Sequence, residues 1–309
     1  MRNRDVKKDQ APIEDYLALG DKLYLEGDTL ILDGVKKSNF DLMDTFFCGQ
    51  CFRWTYDDKS NTFTGIAFEK VLKLEQKEDH LVFHCSKEDF NNIWKNYFDL
   101  EVDYEAIKEE LKKDNILKKA IEFAPGIRLL KQELFETAIS FIISSNSNIK
   151  RIRKNILDLS TNLGQHIIDE HYAFPTALAI AQADSSIIDL CKIGYRADYI
   201  KKASQAIVEK DTFHLGHYSS LPYEEAKNEL MQLRGVGPKV ADCIILFSGI
   251  SMNAFPTDVW VKRVMENLYI KKEVTQSYVQ KYGQERFGKL AGYAQQYLFY
   301  YALKKNIGV

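Results

Sequence analysis

No apolar run in the chain approaches the ~18 residues needed to cross a bilayer, and the opening stretch, MRNRDVKKDQAPIEDY, holds no apolar segment of the kind that forms a secretory signal. A soluble intracellular protein is expected. Cysteine is scarce: five residues, at 48, 51, 85, 191 and 243, make no even, regularly spaced set. That excludes a disulfide scaffold and leaves free thiols of a reducing compartment. Cys48-Gly49-Gln50-Cys51 has C-x-x-C spacing, but zinc takes about four ligands. No second cysteine pair or nearby histidine pair supplies them, so no metal site is expected. An excess of positive charge is missing too. Lys and Arg total 42 against 44 Asp and Glu, a net charge of −2, whereas proteins that bind phosphates draw on cations in quantity. Any surface for a polyanion must be local. Candidates are Lys150-Arg151 with Arg153-Lys154, Lys201-Lys202 and Lys262-Arg263, each of which alone reads as a solvated helix face.

What is present is ordinary globular material, 309 residues with 45% hydrophobic and 28% charged, long enough for two domains or one large one. From Thr29 to about Cys85 the pattern alternates as strands do, in TLILDG, CFRWTY, TFTGIAF, KVLKLEQ and HLVFHC, separated by turn residues. This predicts an antiparallel β unit. After Lys87 the apolar spacing becomes helical, and proline is confined to breaks between helices at Pro125, Pro175, Pro222, Pro238 and Pro256. The expected class is α+β: residues 1–27 as an extension without assigned function and with a helical reading, 28–115 as a β-sheet domain with flanking helices, and 116–309 as an α-helical domain.

The chemistry centres on LRGVGPKVADCIILF, residues 233 to 247. Gly235-Val236-Gly237 can adopt positive φ and leave backbone N–H groups uncovered at the start of the helix that Pro238 opens, an anion seat that grips a phosphate without reading a base. Lys239 is the second residue of that helix, where the dipole disfavours an ammonium; a nucleophilic amine gains from that position and an exposed charge does not. Cys243 follows one turn later on the same face. In FPTDVW, Asp258 reads as a helix N-cap, and equally as a carboxylate that accepts a proton from the lysine and stabilises a sugar cation.

These residues together resemble the helix-hairpin-helix DNA glycosylases, and within them the bifunctional 8-oxoguanine DNA glycosylase/AP lyases. The likeness covers most of the chain from about residue 40 and rests on CGQCFRW (48 to 54), GIRLLKQELFETAISFIISSNSNIKRI (126 to 152), FPTALA (174 to 179), GYRADYI (194 to 200), LRGVGPKVADCI (233 to 244), FPTDV (255 to 259) and AGYAQQYLF (291 to 299). It implies a twisted antiparallel sheet packed on a helix-hairpin-helix domain, with the DNA site between them. By this resemblance Lys239 attacks C1′ of the damaged nucleotide and forms a Schiff base that permits strand cleavage, with Asp258 as the motif carboxylate. Gly49 presents a carbonyl to the N7–H of 8-oxoguanine, where guanine has an acceptor. Phe299 and Cys243 sandwich the flipped base and Gln295 reads its Watson–Crick edge. Asn146 plugs the vacated stack, Tyr195 wedges it, and Arg151 with Arg196 binds the orphan cytosine. Gly235, Val236 and Gly237 hold a phosphate.

Two positions depart from the animal and fungal pattern: Trp260 stands where those members have histidine, and Ser147 where they have the middle asparagine of a run of three. The resemblance implies a monomer acting on double-stranded DNA that contains 8-oxoguanine, no membrane, and no required cofactor, with a monovalent cation possible at the hairpin. The expected location is the cytoplasm, with the nucleoid, in a prokaryote, or the nucleus in a eukaryote. Two rivals were weighed. An endonuclease III-like glycosylase for oxidised pyrimidines commonly carries four closely spaced C-terminal cysteines, and none follows Cys243 here. A non-catalytic helix-hairpin-helix DNA-binding protein needs neither lysine, aspartate nor base pocket together.

Overall fold

The structure, a computed structural model, describes residues 17–20 and 22–307. Six strands, β1 (Lys22–Glu26), β2 (Thr29–Asp33), β3 (Trp54–Asp57), β4 (Thr62–Ala67), β5 (Lys70–Gln76) and β6 (His80–His84), form one antiparallel sheet in the order β1-β2-β6-β5-β4-β3. The five strands read from the sequence are β2 to β6. The sixth, β1, falls inside the stretch expected as an extension, so residues 22–26 belong to the sheet; residues 1–16, and the helix expected there, lie outside the described residues.

Inward-facing residues alternate along β4 as a half-buried strand requires, with Phe63, Gly65 and Ala67 buried. Gly65 pairs with Trp54, and a Cβ there would come within 2.2 Å of the indole. The absent side chain is what lets Trp54 lie flat on Phe46, ring centres 3.9 Å apart and 5° from parallel. An aromatic core of Phe40, Phe46, Trp54, Phe83, Trp94 and Phe98 grows from that contact.

The second core is helical, built around the apolar helices Leu134–Ser144, Pro238–Phe247 and Ala291–Lys305. The helix Tyr104–Leu111 sends Tyr104 and Leu111 into this core, which puts the seam near residue 102 rather than at 115/116. Arg128 pins the seam. Fully buried, it donates to the carbonyls of Phe98, Asp99 and Val102 and lies 3.8 Å from the Tyr104 ring centre.

One carboxylate in this packing makes folding depend on pH. Burial pushes Glu133, at the start of the helix Leu134–Ser144, up to about 7, with repulsion from Glu136 and Glu69 adding to it and Arg53 opposing. A carboxyl raised in the folded state destabilises progressively as pH climbs from its unfolded value to its folded one. Glu133→Gln should therefore leave the melting temperature unchanged at about pH 4 and raise it above pH 7, by the equivalent of roughly 3 kcal/mol at 1.36 kcal/mol per unit. Melting curves at the two pH values check this, and an equal effect at both would contradict it.

Candidate active site

The glycine hairpin joins the helix Tyr223–Leu230 to the helix Pro238–Phe247. Gly235 has φ +87°, and a Cβ there would sit 2.9 Å from Tyr199 and 3.1 Å from Ile142, so the position admits only glycine. Gly237 differs from expectation: it is extended, with φ −95° and ψ −179°, and no atom lies within 4 Å of an added Cβ. Its lack of a side chain opens space rather than permitting a turn. The Val236 N–H is committed to the Leu233 carbonyl, and its side chain is buried. The Val236 N–H is thus not available to an anion at this hairpin. Beneath it, the buried Asp242 on that helix accepts from Tyr223 at 2.5 Å and pairs with Lys227 at 2.9 Å, locking the two hairpin helices together.

Lys239 and Asp258 occupy a boundary. A groove of about 740 Å³ runs past Asn146, the hairpin and Trp260, and a separate cavity of about 40 Å³ is lined by Gly49, Phe141, Cys243, Gln295 and Phe299. Only Lys239 and Asp258 line both. The Lys239 ammonium lies 5.2 Å from the Phe141 ring centre. Asp258 is the N-cap foreseen, its Oδ1 accepting from the N–H groups of Trp260 and Val261, each at 2.9 Å. Burial holds its carboxyl above the usual carboxylate range, opposed by the Val261 N–H, by Lys239 and by the Trp260 N–H. Burial also pushes the Cys243 thiol up to about 11 against the pull of Lys239, so it stays neutral at physiological pH.

The cavity is built to leave particular atoms without partners. Gly49, at φ +88°, follows the helix Leu42–Phe46. Of three successive carbonyls, that of Cys48 accepts from Gln296 at 3.3 Å and that of Gln50 from Gln132 at 2.8 Å, while that of Gly49 accepts nothing among the described residues. The Gln50 side chain fixes the loop from below, donating to the carbonyls of Thr45 and Arg128 and accepting from the Leu130 N–H. Gln295 donates to the Pro256 carbonyl at 3.1 Å, and its buried Oε1 has no partner. Phe299 stands against Gly49, its ring 3.3 Å from where a Cβ on Gly49 would lie. The cavity holds about one water, whose share of liquid volume is roughly 30 Å³.

Asn146, Tyr195 and Arg196 meet at one point of the groove rim. Asn146 takes φ +51° and donates to the Tyr195 hydroxyl at 3.3 Å. Asparagine tolerates this left-handed turn better than most residues. Arg196 is buried, with Nε on the Ser145 carbonyl at 2.6 Å, Nη2 on the Asn146 carbonyl at 2.9 Å and Nη1 on the Ile193 carbonyl at 3.2 Å. It holds the Asn146 backbone in its turn. Arg151 is exposed, and its guanidinium has no protein partner among the described residues. Arg153, expected on a solvated face, is turned inward onto the Phe46 and Trp54 carbonyls. Sequence reasoning missed Gln50, Gln132, Gln296 and Arg153. None belongs to a spacing pattern that separates it from ordinary polar residues. The C-x-x-C pair consists of buried free thiols donating to the Thr45 and Phe46 carbonyls.

Residues 34–138 match the N-terminal domain of the 8-oxoguanine DNA glycosylases, and residues 139–289 match the HhH-GPD superfamily of base excision DNA repair proteins. The chain is 30% identical to a probable N-glycosylase/DNA lyase of Methanothermobacter thermautotrophicus, over 68% of this chain and 74% of that one. It is 32% identical to the N-glycosylase/DNA lyase of Saccharomyces cerevisiae, over 76% and 70%. A crystal structure of the Clostridium acetobutylicum 8-oxoguanine glycosylase/lyase, in complex with dsDNA containing cytosine opposite to 8-oxoG, superimposes with a TM-score of 0.88 at 41% identity, covering 93% of this chain and 99% of that one. With the hairpin, the lysine and the carboxylate in place at the boundary between groove and cavity, the chain belongs to the 8-oxoguanine DNA glycosylase family of N-glycosylase/DNA lyases.

Proposed function

We propose that the protein excises 8-oxoguanine from duplex DNA, preferentially opposite cytosine, and nicks the strand at the same site. The observation that carries this reading is the Gly49 carbonyl, free between two carbonyls that the protein has paired. It meets the N7–H of 8-oxoguanine as an acceptor and repels the N7 lone pair of guanine. The partnerless Oε1 of Gln295 accepts in the same way from the N–H groups of the purine's Watson–Crick edge.

The extruded nucleotide places C1′ at the boundary where Lys239 and Asp258 stand. The Lys239 amine attacks C1′, the C1′–N9 bond breaks, and its electron pair leaves with the base. Asp258 stabilises the positive charge that develops on the sugar and takes up the proton released from the lysine nitrogen, delivering it to the departing base. Opening of the sugar gives the Schiff base, loss of a C2′ proton breaks the C3′–O bond, and water releases the product. A monovalent cation at the hairpin is part of the same proposal: the Val236 carbonyl accepts no hydrogen bond among the described residues, which leaves it a ligand atom. We place the enzyme, as a monomer, with the nucleoid of a prokaryotic cytoplasm, in keeping with a composition rich in Lys, Ile and Asn.

Excision from duplexes carrying 8-oxoguanine opposite each of the four bases, with thymine glycol alongside, tests the reading. The lesion opposite cytosine should be released fastest; faster release of thymine glycol would overturn it. Asp258→Asn gives a second check. Asparagine caps a helix as well as aspartate does, and it removes a carboxylate that burial disfavours. Because that carboxyl is raised in the folded state, the variant should melt at a higher temperature, with a gain absent near pH 4 and growing toward neutrality, while excision falls about 10²–10⁴-fold. A lower melting temperature at pH 7 would refute this account of Asp258.

A further inference from the structure

Arg153 lies two residues beyond Arg151 on the helix Ile149–Leu163, and the helical repeat puts it on the face of Ile149, away from Arg151. Its guanidinium donates from Nη1 to the Trp54 carbonyl at 2.5 Å and from Nη2 to the Phe46 carbonyl at 2.8 Å, with Cζ 4.5 Å from the Phe47 ring centre. Phe46 ends the helix Leu42–Phe46 and Trp54 begins β3, so these two carbonyls are the two ends of the loop that carries Gly49. A single planar fork ties both. One turn earlier, Ile149 Cδ1 lies 3.5 Å from the position a Cβ on Gly49 would take. No acidic side chain pairs with Arg153 among the described residues, so the loop's carbonyl dipoles are what hold its charge.

We infer that Arg153 is a positioning residue that couples reading of the opposite base to reading of the lesion, an inference that rests on the function proposed above. The helix whose Arg151 faces the orphan base is the same rigid element that sets, through Ile149 and Arg153, where the Gly49 carbonyl stands. Cytosine offers Arg151 the acceptors O2 and N3, and seating Arg151 seats the lesion-reading loop. Adenine opposite the lesion seats neither.

The test compares the native protein, Arg153→Leu and Arg153→Lys on three duplexes under single-turnover conditions: 8-oxoguanine opposite cytosine, 8-oxoguanine opposite adenine, and a preformed abasic site opposite cytosine. Nicking at the abasic site uses Lys239 but has no base to read. Arg153→Leu should slow excision opposite cytosine roughly ten- to hundredfold, the scale set by a 1 Å misplacement of a reacting geometry. Excision opposite adenine should slow less, so the preference for cytosine narrows, while abasic-site nicking is unchanged. Arg153→Lys, which reaches one carbonyl at a time, should fall between the two and serves in place of Arg153→Leu if that variant does not fold. Equal losses on all three duplexes, no loss, or an unchanged cytosine preference would overturn the coupling alone. A native protein that nicks abasic sites and leaves 8-oxoguanine intact would overturn the coupling and the functional reading together.

Discussion

Lys239→Gln should abolish base release and strand nicking while duplex binding stays close to that of the native protein. Glutamine keeps the polar character and nearly the length of lysine but has no nucleophilic amine, and nothing else at the boundary between groove and cavity can attack carbon. Cys243 is buried and its thiol, pushed up to about 11, is neutral; Asp258 is a carboxylate committed to two backbone N–H groups. A loss of at least about 10⁴-fold in the single-turnover rate is expected, equivalent to roughly 5.5 kcal/mol of transition-state stabilisation. In the function proposed here, binding rests on other groups, the Gly235 and Gly237 amides and the helix start for phosphate and Arg151 for the orphan base, and the substitution touches none of them. The same variant removes the ammonium that opposes the upward shift of Asp258, so that carboxyl should rise further. Excision assays beside fluorescence anisotropy on the same duplex check both halves, and retained base release would remove Lys239 from the chemistry.

Gln50→Leu should be the most damaging single change to stability around the site. Leucine matches glutamine in volume and suits a buried position, so packing alone forecasts a mild effect. The hydrogen bonds forecast otherwise. The side chain is fully buried and its loss orphans the Arg128 carbonyl and the Leu130 N–H and leaves the Thr45 carbonyl with the Cys48 thiol alone. At about 1–3 kcal/mol for each of the two buried groups left unpaired, the total is roughly 2–6 kcal/mol. In a domain of 150–250 residues that corresponds to about 2–4 °C of melting temperature per kcal/mol. Activity should fall as well, through specificity: the loop that presents the Gly49 carbonyl loses the bond beneath it, and discrimination between 8-oxoguanine and guanine narrows. A melting temperature within about 2 °C of the native protein's would contradict this account of the loop.

The parts of the fold and site that could be read from the sequence share a physical property: their residue types are forced by local geometry. Alternation gives β4 to β6 because one face of each strand is buried, and Gly235 and Pro238 mark the hairpin because the backbone there admits little else. β1 escaped because KLYLE is a three-residue apolar run between charges, too short to show a period, and only Leu23 of it is buried. Gln50, Gln296 and Arg153 escaped for the opposite reason. Each is a polar residue whose role is set by a carbonyl distant in the chain, 78 residues away for Gln50 and Arg128, 248 for Gln296 and Cys48, and 107 for Arg153 and Phe46. A polar residue facing inward has the same local signature as one facing water. Arg196 carries the same lesson: its donors meet the carbonyls of Ser145 and Asn146, 51 and 50 residues away, which no local pattern announces.

The account stands on one covalent bond and the base that licenses it. Borohydride reduction during turnover, on duplexes with 8-oxoguanine or with guanine opposite cytosine, followed by mass spectrometry of the digested adduct, measures both at once. The predicted result is an adduct with the 8-oxoguanine duplex only, mapped to the peptide that contains Lys239. An adduct mapped to another lysine, or one formed equally on the guanine duplex, would contradict it.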